Sequence, residues 1–211
     1  MKPAPPVTQM IEPTANPPVL AREFYQRPTE DVARDLLGKL VVRKHPDGDT
    51  VVRLTEVEAY LGVDDPACHT FGGRRTRRTE SMWGEAGHAY VYLVYGLHHC
   101  LNVVTVGPGS PEAVLLRGAQ ILRGHGLIRA RRGVTVSERS LTDGPGKLCR
   151  ALAIDREEDG TDLCRPASPL RIEEDGCRVE GHDVRRLPRV GVDYAGEAAS
   201  WPLRFVTFSI V

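Results

Sequence analysis

The sequence predicts an α+β fold: a single domain with a mixed, mostly antiparallel β-sheet and flanking helices. The chain has 211 residues, which is enough for one sizeable core. Runs rich in β-forming residues follow one another through the first half, and segments with helical character are grouped apart from them. Because strands and helices do not alternate regularly, we do not expect a parallel sheet built from βαβ units.

The N-terminal region differs in composition from the rest of the chain. Six prolines fall within the first 18 residues, and such a segment favours an extended, mobile chain over a packed core. We therefore expect a disordered tail over residues 1–19 and one folded domain over residues 20–211. No apolar run approaches the roughly 20 residues that cross a bilayer, and no secretory signal is evident, so the sequence predicts a cytoplasmic protein without a membrane partner.

The first predicted elements are a helix and a hairpin. In PTEDVARDLLGK, Thr29 is a candidate N-cap, Val32 and Leu36 belong to an apolar stripe, and Gly38 ends the helix. The runs KLVVRK and TVVRLTEVEAY flank Asp47-Gly48, a strong signal for two antiparallel strands. In the second strand, the period of two predicts one face carrying Val52, Leu54, Glu56, Glu58 and Tyr60.

The later elements extend this sheet. Residues 61–86 form a loop rich in Gly, Arg and Thr, longer than most structureless loops, and are a candidate substrate loop. HAYVYLVY, CLNVVTV and EAVLLRG predict three strands separated by Gly96 and the turn GPGSP. GAQILRGHGLIRARR and GKLCRALAI have helical character, and PLRFVTFSIV predicts a closing strand.

Net charge does not identify a binding partner, and the spacing of His and Cys does not indicate a metal site. Lys plus Arg and Asp plus Glu both number 28, so net charge does not indicate a nucleic-acid partner. A local basic face is still expected from two arginine clusters. These clusters are Arg74, Arg75, Arg77 and Arg78, then Arg129, Arg131 and Arg132. A contiguous His98-His99-Cys100 run cannot supply three convergent ligands in a strand, and with Cys68-His69 it matches no zinc pattern, so we expect no metal and no cofactor.

Two readings of the strand side chains stay open on pattern alone. Glu56 and Glu58 are typical either of a solvated face or of paired catalytic carboxylates. Tyr60, Tyr90, Tyr92 and Tyr95 are either half-buried β-formers, or two of them are platforms on which a planar ligand stacks, at roughly 1–3 kcal/mol per base.

Five segments together identify a family. They are EVEAYLGVDDPACHTFGGRRTRRTESMW, HAYVYLVYGLHHCLNVV, AVLLRGAQ, DGPGKLCRALAI and RVGVDYAGEAASWPLRF. In this order, from about Leu20 to Phe205, they resemble the 3-methyladenine (alkyladenine) DNA glycosylase family. The resemblance implies a monofunctional base-excision-repair enzyme acting as a monomer on double-stranded DNA, associated with the nucleoid. It would flip alkylated or deaminated purines, of the 3-methyladenine, hypoxanthine and ethenoadenine class, into a pocket and hydrolyse the N-glycosidic bond.

The resemblance also implies roles for individual residues. Glu58 matches the water-activating carboxylate, and Arg117 matches an arginine that holds the water and the nearby backbone. The implied base-binding residues are Tyr60 and Tyr92, which stack, His69, which hydrogen-bonds the base, Asn102, which gates the pocket, and Val190, an apolar contact. The implied DNA-binding residues are Tyr95, which intercalates, and Thr76, Arg74 and Lys147, at the phosphates.

Elementary chemistry agrees with these roles. Glu58 is expected to be ionised at neutral pH unless it is deeply buried, and can then accept a proton from water. No lysine occupies a matched pocket position, which favours water as the nucleophile. The chain departs from the family pattern at His88, at His98-His99 and in VDYAGEA, so its substrate range is less defined than its class.

Two alternatives from other classes remain. A glycoside hydrolase would use Glu56 and Glu58 together, since same-face neighbours on a strand lie roughly 6.5–7 Å apart. A DNA-damage or RNA-binding module would flip a base without cleaving it, and would need Tyr92, Tyr95 and the arginines but not Glu58.

Overall fold

A computed structural model describes residues 17–209 and confirms the α+β fold. The helices are α1 (Arg22–Tyr25), α2 (Thr29–Leu36), α3 (His125–Arg132) and α4 (Pro145–Leu152). The strands are β1 (Leu40–Arg43), β2 (Thr50–Tyr60), β3 (Ala89–Val94), β4 (His98–Gly107), β5 (Ser110–Arg123), β6 (Leu170–Glu173), β7 (Val184–Leu187) and β8 (Arg204–Thr207). Short 3-10 turns lie between several of these elements.

The strands of residues 17–209 pair antiparallel throughout. Their order is β3-β4-β5-β2-β1-β6, and β8 pairs with the second half of β2 and with β7. The predicted hairpins β1-β2, β3-β4 and β4-β5 are confirmed. Strand β2 is central because β5 lines one edge of it, while β1 and β8 share the other edge.

The main core lies between one sheet face and the helices. Helix α2 contributes Val32 and Leu36, α3 contributes Ile128, and α4 contributes Leu148 and Leu152, all fully buried. Helix α2 is amphipathic as predicted, and its acidic first turn suits the positive end of the helix dipole. The second sheet face is therefore left for other segments of the chain.

A bulge in β2 reverses its side-chain alternation. The pairing of β2 with β5 shifts register on both sides of Glu56. The core-facing positions accordingly change from Val52 and Leu54 to Val57 and Ala59, because an extra residue in one strand moves the following side chains to the other face. The predicted single face from Val52 to Tyr60 is wrong, and Glu58 and Tyr60 point away from the main core.

Other local predictions need correction. Thr29 is the first residue of α2 and not its N-cap, and its hydroxyl instead contacts Thr105 and Glu112 at 2.6 and 2.5 Å. The first half of GAQILRGHGLIRARR continues β5, and only the second half is helical, in α3. The sequence patterns did not reveal α1, β6 or β7, which are each four residues long.

The last residues of the predicted N-terminal tail pair with other parts of the chain. Val19 forms a β-bridge with Glu173, and the carbonyl of Pro18 accepts a hydrogen bond from Glu174. Pro18 and Val19, at the end of the predicted tail, therefore contact the folded domain, while residues 1–16 of that tail lie outside the described part of the chain. Between residues 17 and 209, no helix is long and apolar enough to cross a membrane.

Candidate active site

A row of directly opposed residues crosses four strands on the second sheet face. Glu58 of β2 opposes Leu115 of β5, Leu115 opposes Asn102 of β4, and Asn102 opposes Tyr90 of β3. Opposed residues on paired strands project to the same side. The sheet register therefore brings Glu58, Asn102 and Tyr90 onto one surface although they are far apart in sequence.

Two irregular segments pack over this surface. The predicted substrate loop contributes Cys68 and Met82, which cluster with Tyr90. The segment before β8 contributes Val192, which clusters with Ala67 of the loop. The loop is partly ordered by short 3-10 turns, as its length suggested.

A cavity of about 530 Å³ lies between the sheet and these segments. This volume is within the range of small-molecule sites. Most of the predicted site residues line it: Tyr60, His69, Tyr92, Tyr95, Asn102, Arg117 and Val190.

Glu58 lies beside the cavity and is held on both oxygens. Its side chain is fully buried. The Tyr60 hydroxyl donates to Oε2 at 2.9 Å, and the Val190 backbone N–H donates to Oε1 at 2.8 Å. The guanidinium of Arg117 approaches both oxygens at 3.4 Å. The carboxyl group is therefore fixed in orientation by donors from three separate parts of the chain.

Burial raises the pKa of Glu58 above its usual value, although Arg117, the Val190 N–H and the Tyr60 hydroxyl oppose the rise. A carboxylate with a raised pKa is a stronger proton acceptor than an exposed one. The sequence expectation of an ionised Glu58 carried the condition that it was not deeply buried; Glu58 is buried, and these three donors stabilise its charged form. The arrangement suits a general base.

Glu56 lies near Glu58, but its charge is balanced by two arginines. Arg117 Nε donates to Glu56 at 3.0 Å, and Arg204 contacts the same oxygen at 3.1 Å. Two arginines thus hold Glu56 as a structural partner for Arg117. The glycoside hydrolase alternative needs Glu56 as an independent acid or base, and these ion pairs do not favour it.

Tyr60 forms one wall of the cavity and has a buried cation behind it. The Arg189 guanidinium lies 4.8 Å from the centre of the Tyr60 ring. Arg189 makes a two-point ion pair with Asp65, and both side chains are fully buried. Arg189 also donates to the carbonyl of Ala59 at 3.0 Å. This network ties the end of β2, the loop and the Val190 segment together.

His69, which also lines the cavity, lies among tyrosines. Its Nδ1 is 2.9 Å from the Tyr90 hydroxyl, and its ring meets Tyr92 edge-on at 4.6 Å between centroids. Burial and the charges of Arg78 and Arg74 lower the pKa of His69 to about 4. The imidazole is therefore neutral at physiological pH.

Asn102 and Val190 each make a hydrogen bond that involves the main chain. The Asn102 amide donates to the Tyr90 carbonyl at 3.0 Å and is buried. Val190 was predicted as an apolar contact, and it does line the cavity, while its backbone N–H holds Glu58.

The β3-β4 hairpin projects its tip at the cavity mouth. Tyr95 and Gly96 both have positive φ, 52° and 68°, and the Leu97 N–H donates to the Val94 carbonyl, which is typical of a type I′ turn. Tyr95 is 91% exposed. A bulky aromatic residue is thus held in a strained backbone conformation at an exposed tip.

The predicted phosphate contacts lie outside the cavity lining. Arg74 and Thr76 are exposed on the loop, and the Thr76 N–H donates to Thr79. Lys147 lies in the first turn of α4 and pairs with Asp143 at 2.7 Å. The neighbouring Pro145 lines the cavity, which places α4 close to the mouth.

Sequence reasoning assigned no role to several residues of the site, although it considered Tyr90 as a possible stacking platform. Arg78 and Tyr90 line the cavity, and the guanidinium of Arg78 lies 4.9 Å from the ring centre of Tyr92. The arginine cluster and the shared strand parity of the tyrosines were the available signals. Arg189 and Asp65 are 124 residues apart, and no local pattern indicates their pairing. Across residues 17–209, no group of three or more His, Cys, Asp or Glu side chains is placed to hold a metal ion.

Comparison with known proteins identifies the family. Residues 23–209 match the family model described as "Methylpurine-DNA glycosylase". Relatives from Methanocella arvoryzae, Bdellovibrio bacteriovorus and Streptomyces avermitilis are 47%, 45% and 46% identical. These matches cover 89%, 89% and 88% of this chain, and 92%, 94% and 86% of the relatives. All three relatives carry the name "Putative 3-methyladenine DNA glycosylase".

The family match spans most of the chain and contains the whole cavity lining. The three relatives also match over most of this chain. The chain belongs to the methylpurine-DNA glycosylase family.

Proposed function

We propose that this protein is a monofunctional DNA repair glycosylase that flips alkylated or deaminated purines into the cavity and hydrolyses the N-glycosidic bond with water activated by Glu58. The observation that carries the proposal is a fully buried carboxyl group, oriented by Tyr60, Val190 and Arg117, beside a cavity with aromatic walls. The substrates expected are 3-methyladenine, hypoxanthine and ethenoadenine in double-stranded DNA.

Base flipping is the first step, because chemistry at a base inside a duplex requires its extrusion, at a cost of a few kcal/mol. The exposed Tyr95 at the hairpin tip fills the space that the base vacates. Arg74, Thr76 and Lys147 lie on the surface near the mouth and contact phosphates. The protein acts as a monomer, and DNA as the substrate supports association with the nucleoid.

Recognition follows from the walls of the cavity. The flipped base stacks between Tyr60 and Tyr92, whose faces attract a positively charged alkylated purine by about 0.5–2 kcal/mol each. Val190 supplies apolar contact, and the fixed amide of Asn102 opposes a base that carries an extra amino group there. His69 supplies the hydrogen bond to the base edge.

Hydrolysis uses the two charged groups beside the cavity. The Glu58 carboxylate accepts a proton from water as the water oxygen bonds to the anomeric carbon and the purine departs with the bonding electrons. The negative charge of Glu58 also stabilises the oxocarbenium-like transition state. Arg117 holds the carboxylate and the water in position. No lysine is present among the described residues that line the cavity, which supports water and not a Schiff-base amine as the nucleophile.

The direct test is release of free base from duplexes that each contain one 3-methyladenine, hypoxanthine or ethenoadenine. Chromatography separates the released base, and borohydride reduction during the reaction traps any covalent enzyme–DNA adduct. Release without trapping is the expected result. Trapping would contradict the monofunctional mechanism, and duplex binding without release of any of the three bases would favour the base-flipping module instead.

A further inference from the structure

Tyr194 is an exposed aromatic residue at the cavity that has no part in the proposed reaction. It belongs to VDYAGEA, the stretch in which this chain departs from the family pattern, and lies in the 3-10 segment Asp193–Ser200. Its side chain lines the cavity, yet the residue is 71% exposed. Tyr194 therefore lies at the mouth of the cavity, where the cavity meets solvent.

The orientation of Tyr194 is the reverse of the usual one for tyrosine. Its hydroxyl donates to the backbone carbonyl of Ala67 at 3.1 Å, and Ala67 is buried. Tyrosine commonly buries its apolar ring and leaves its polar hydroxyl in water. Here the polar end is turned toward the protein, and the exposed part of the side chain is the ring. A ring face presented in this way is available to a ligand.

Contacts at both ends hold the ring in place. At the backbone end, the Ala195 N–H donates to the Val192 carbonyl at 2.9 Å, and both residues cluster with Ala67 in a small buried group. At the far end, the hydroxyl of Tyr194 is bonded to Ala67 as well. Because the side chain is already ordered, it loses little conformational entropy when a ligand packs against it.

The hydroxyl bond also limits the kind of group that Tyr194 can contact. A tyrosine hydroxyl has one hydrogen to donate, and Tyr194 donates it to Ala67. The hydroxyl then has no hydrogen left for a phosphate oxygen, and the neutral phenol has no positive charge to attract one. The contact that remains is apolar packing on the ring, which suits a sugar or a base and not a phosphate.

The position of Tyr194 in the chain favours the sugar. Four residues earlier, the Val190 N–H donates to Glu58, and in the proposed mechanism the anomeric carbon of the sugar reacts beside Glu58. The flipped base occupies the cavity between Tyr60 and Tyr92, so the deoxyribose that joins this base to the DNA backbone lies at the mouth. Tyr194 lies there too, on the segment that orients the carboxylate.

We propose that the exposed ring of Tyr194 packs against the deoxyribose of the flipped nucleotide and holds its anomeric carbon beside Glu58. This assignment rests on the proposed function, which places the reacting nucleotide in the cavity. Tyr194 then binds the sugar, whereas Tyr60 and Tyr92 bind the base.

The test compares duplexes that share a sugar contact but differ in the base. One carries a tetrahydrofuran abasic site, which presents the sugar ring without a base. The other carries 2′-fluoro ethenoadenosine, whose N-glycosidic bond resists cleavage because the fluorine destabilises an oxocarbenium ion. Tyr194→Ala should weaken binding of both, relative to an undamaged duplex, by the same factor, up to about tenfold for one lost ring contact. Unchanged binding of the abasic duplex, or weakening only of the duplex that carries the base, would overturn the proposal.

Two further variants control this comparison. Phe208, another residue of the described chain, is 76% exposed and lies outside the cavity lining, so Phe208→Ala should bind both duplexes like the wild type. Tyr194→Phe keeps the ring and loses only the bond to Ala67, so it should bind the abasic duplex more tightly than Tyr194→Ala does. Equal weakening in Tyr194→Phe and Tyr194→Ala would show that the ring is not the contact. Thermal unfolding confirms that each variant is folded.

The binding measurements do not require catalysis. The expected changes in a protein that releases no base would leave the contact between Tyr194 and the sugar standing and refute the proposed function. Base release by a wild-type enzyme whose Tyr194→Ala variant binds the abasic duplex normally would refute the contact alone.

Discussion

The backbone N–H of Val190 donates to Oε1 of Glu58 at 2.8 Å, across 132 residues of chain. A main-chain donor orients the carboxylate without adding a charge that would lower its pKa strongly. Its own position depends on Arg189, the preceding residue, which pairs with Asp65 and donates to the carbonyl of Ala59. The orientation of Glu58 therefore depends on contacts between the end of β2 and the distant Arg189–Val190 segment.

The buried ion pair between Arg189 and Asp65 predicts a large loss of stability in Asp65→Asn. The substitution leaves the fully buried Arg189 guanidinium without a counter-charge, which costs about 3–5 kcal/mol of unfolding free energy in buried pairs. Urea denaturation measures it. The matched control is Glu80→Gln, which breaks an exposed pair with Arg75 and should leave stability nearly unchanged. Equal effects of the two substitutions would contradict the structural importance of the buried pair.

The raised pKa of Glu58 predicts an acid limb in the pH profile. Only the deprotonated carboxylate accepts a proton, so the single-turnover rate should fall as pH drops through a value above the ordinary 4.5. Arg117→Met removes the main charge that lowers this pKa, so the limb should move to higher pH. A 3-methyladenine duplex is the suitable substrate, because this charged base leaves without further protonation.

Arg186→Met provides the control for the pH experiment. Arg186 pairs with Glu30 at the surface, and its loss should leave the acid limb in place. A limb that moves to lower pH in Arg117→Met, or does not move, would contradict the assignment of Glu58 as the base.

Substitution of Tyr95 should affect base flipping without destabilising the fold. A residue other than glycine with φ of 52° bears strain of about 1 kcal/mol, so Tyr95→Gly should fold with unchanged or slightly higher stability. The same variant should lose most excision, because nothing fills the space left by the flipped base. Thermal unfolding and fluorescence of an ethenoadenine duplex measure the two effects. Normal flipping by Tyr95→Gly would show that the hairpin tip is not the wedge.

Phosphate contact by Lys147 predicts a change in salt dependence. Lys147→Met should reduce the slope of log affinity against log salt concentration by about 0.9 if one phosphate contact is lost. Lys39→Met is the control, because Lys39 pairs with Glu174 and has no assigned role at the DNA. Duplex binding titrations at several salt concentrations compare them. Identical slopes in Lys147→Met and the wild type would remove Lys147 from the interface.

The sequence alone predicted the strands that carry the site better than it predicted their geometry. Alternation along β3 correctly put Tyr90 and Tyr92 on one face, since no bulge interrupts that strand. The same rule failed along β2, because the bulge at Glu56 depends on how β5 pairs with it. Local pattern cannot reveal an irregularity that two distant segments create together.

The candidate site shows the same division. The motif around Glu58 and Tyr60 was recognisable from the sequence, as was the turn at Gly96 that follows Tyr95. The buried pairing of Arg189 with Asp65 was not, because neither residue has a local signal and fully buried charges are rare. Sequence motifs identify the reactive side chains, whereas long-range contacts of this kind determine how those side chains are oriented.

The most direct test of the mechanism compares Glu58→Gln and Glu56→Gln in single-turnover excision of hypoxanthine or ethenoadenine from a duplex. Each substitution removes one carboxylate from neighbouring positions of β2 and keeps its shape. Glu58→Gln should abolish base release while duplex binding persists, and Glu56→Gln should retain measurable release because Glu56 acts through Arg117. Release by Glu58→Gln at the wild-type rate would contradict Glu58 as the group that activates water.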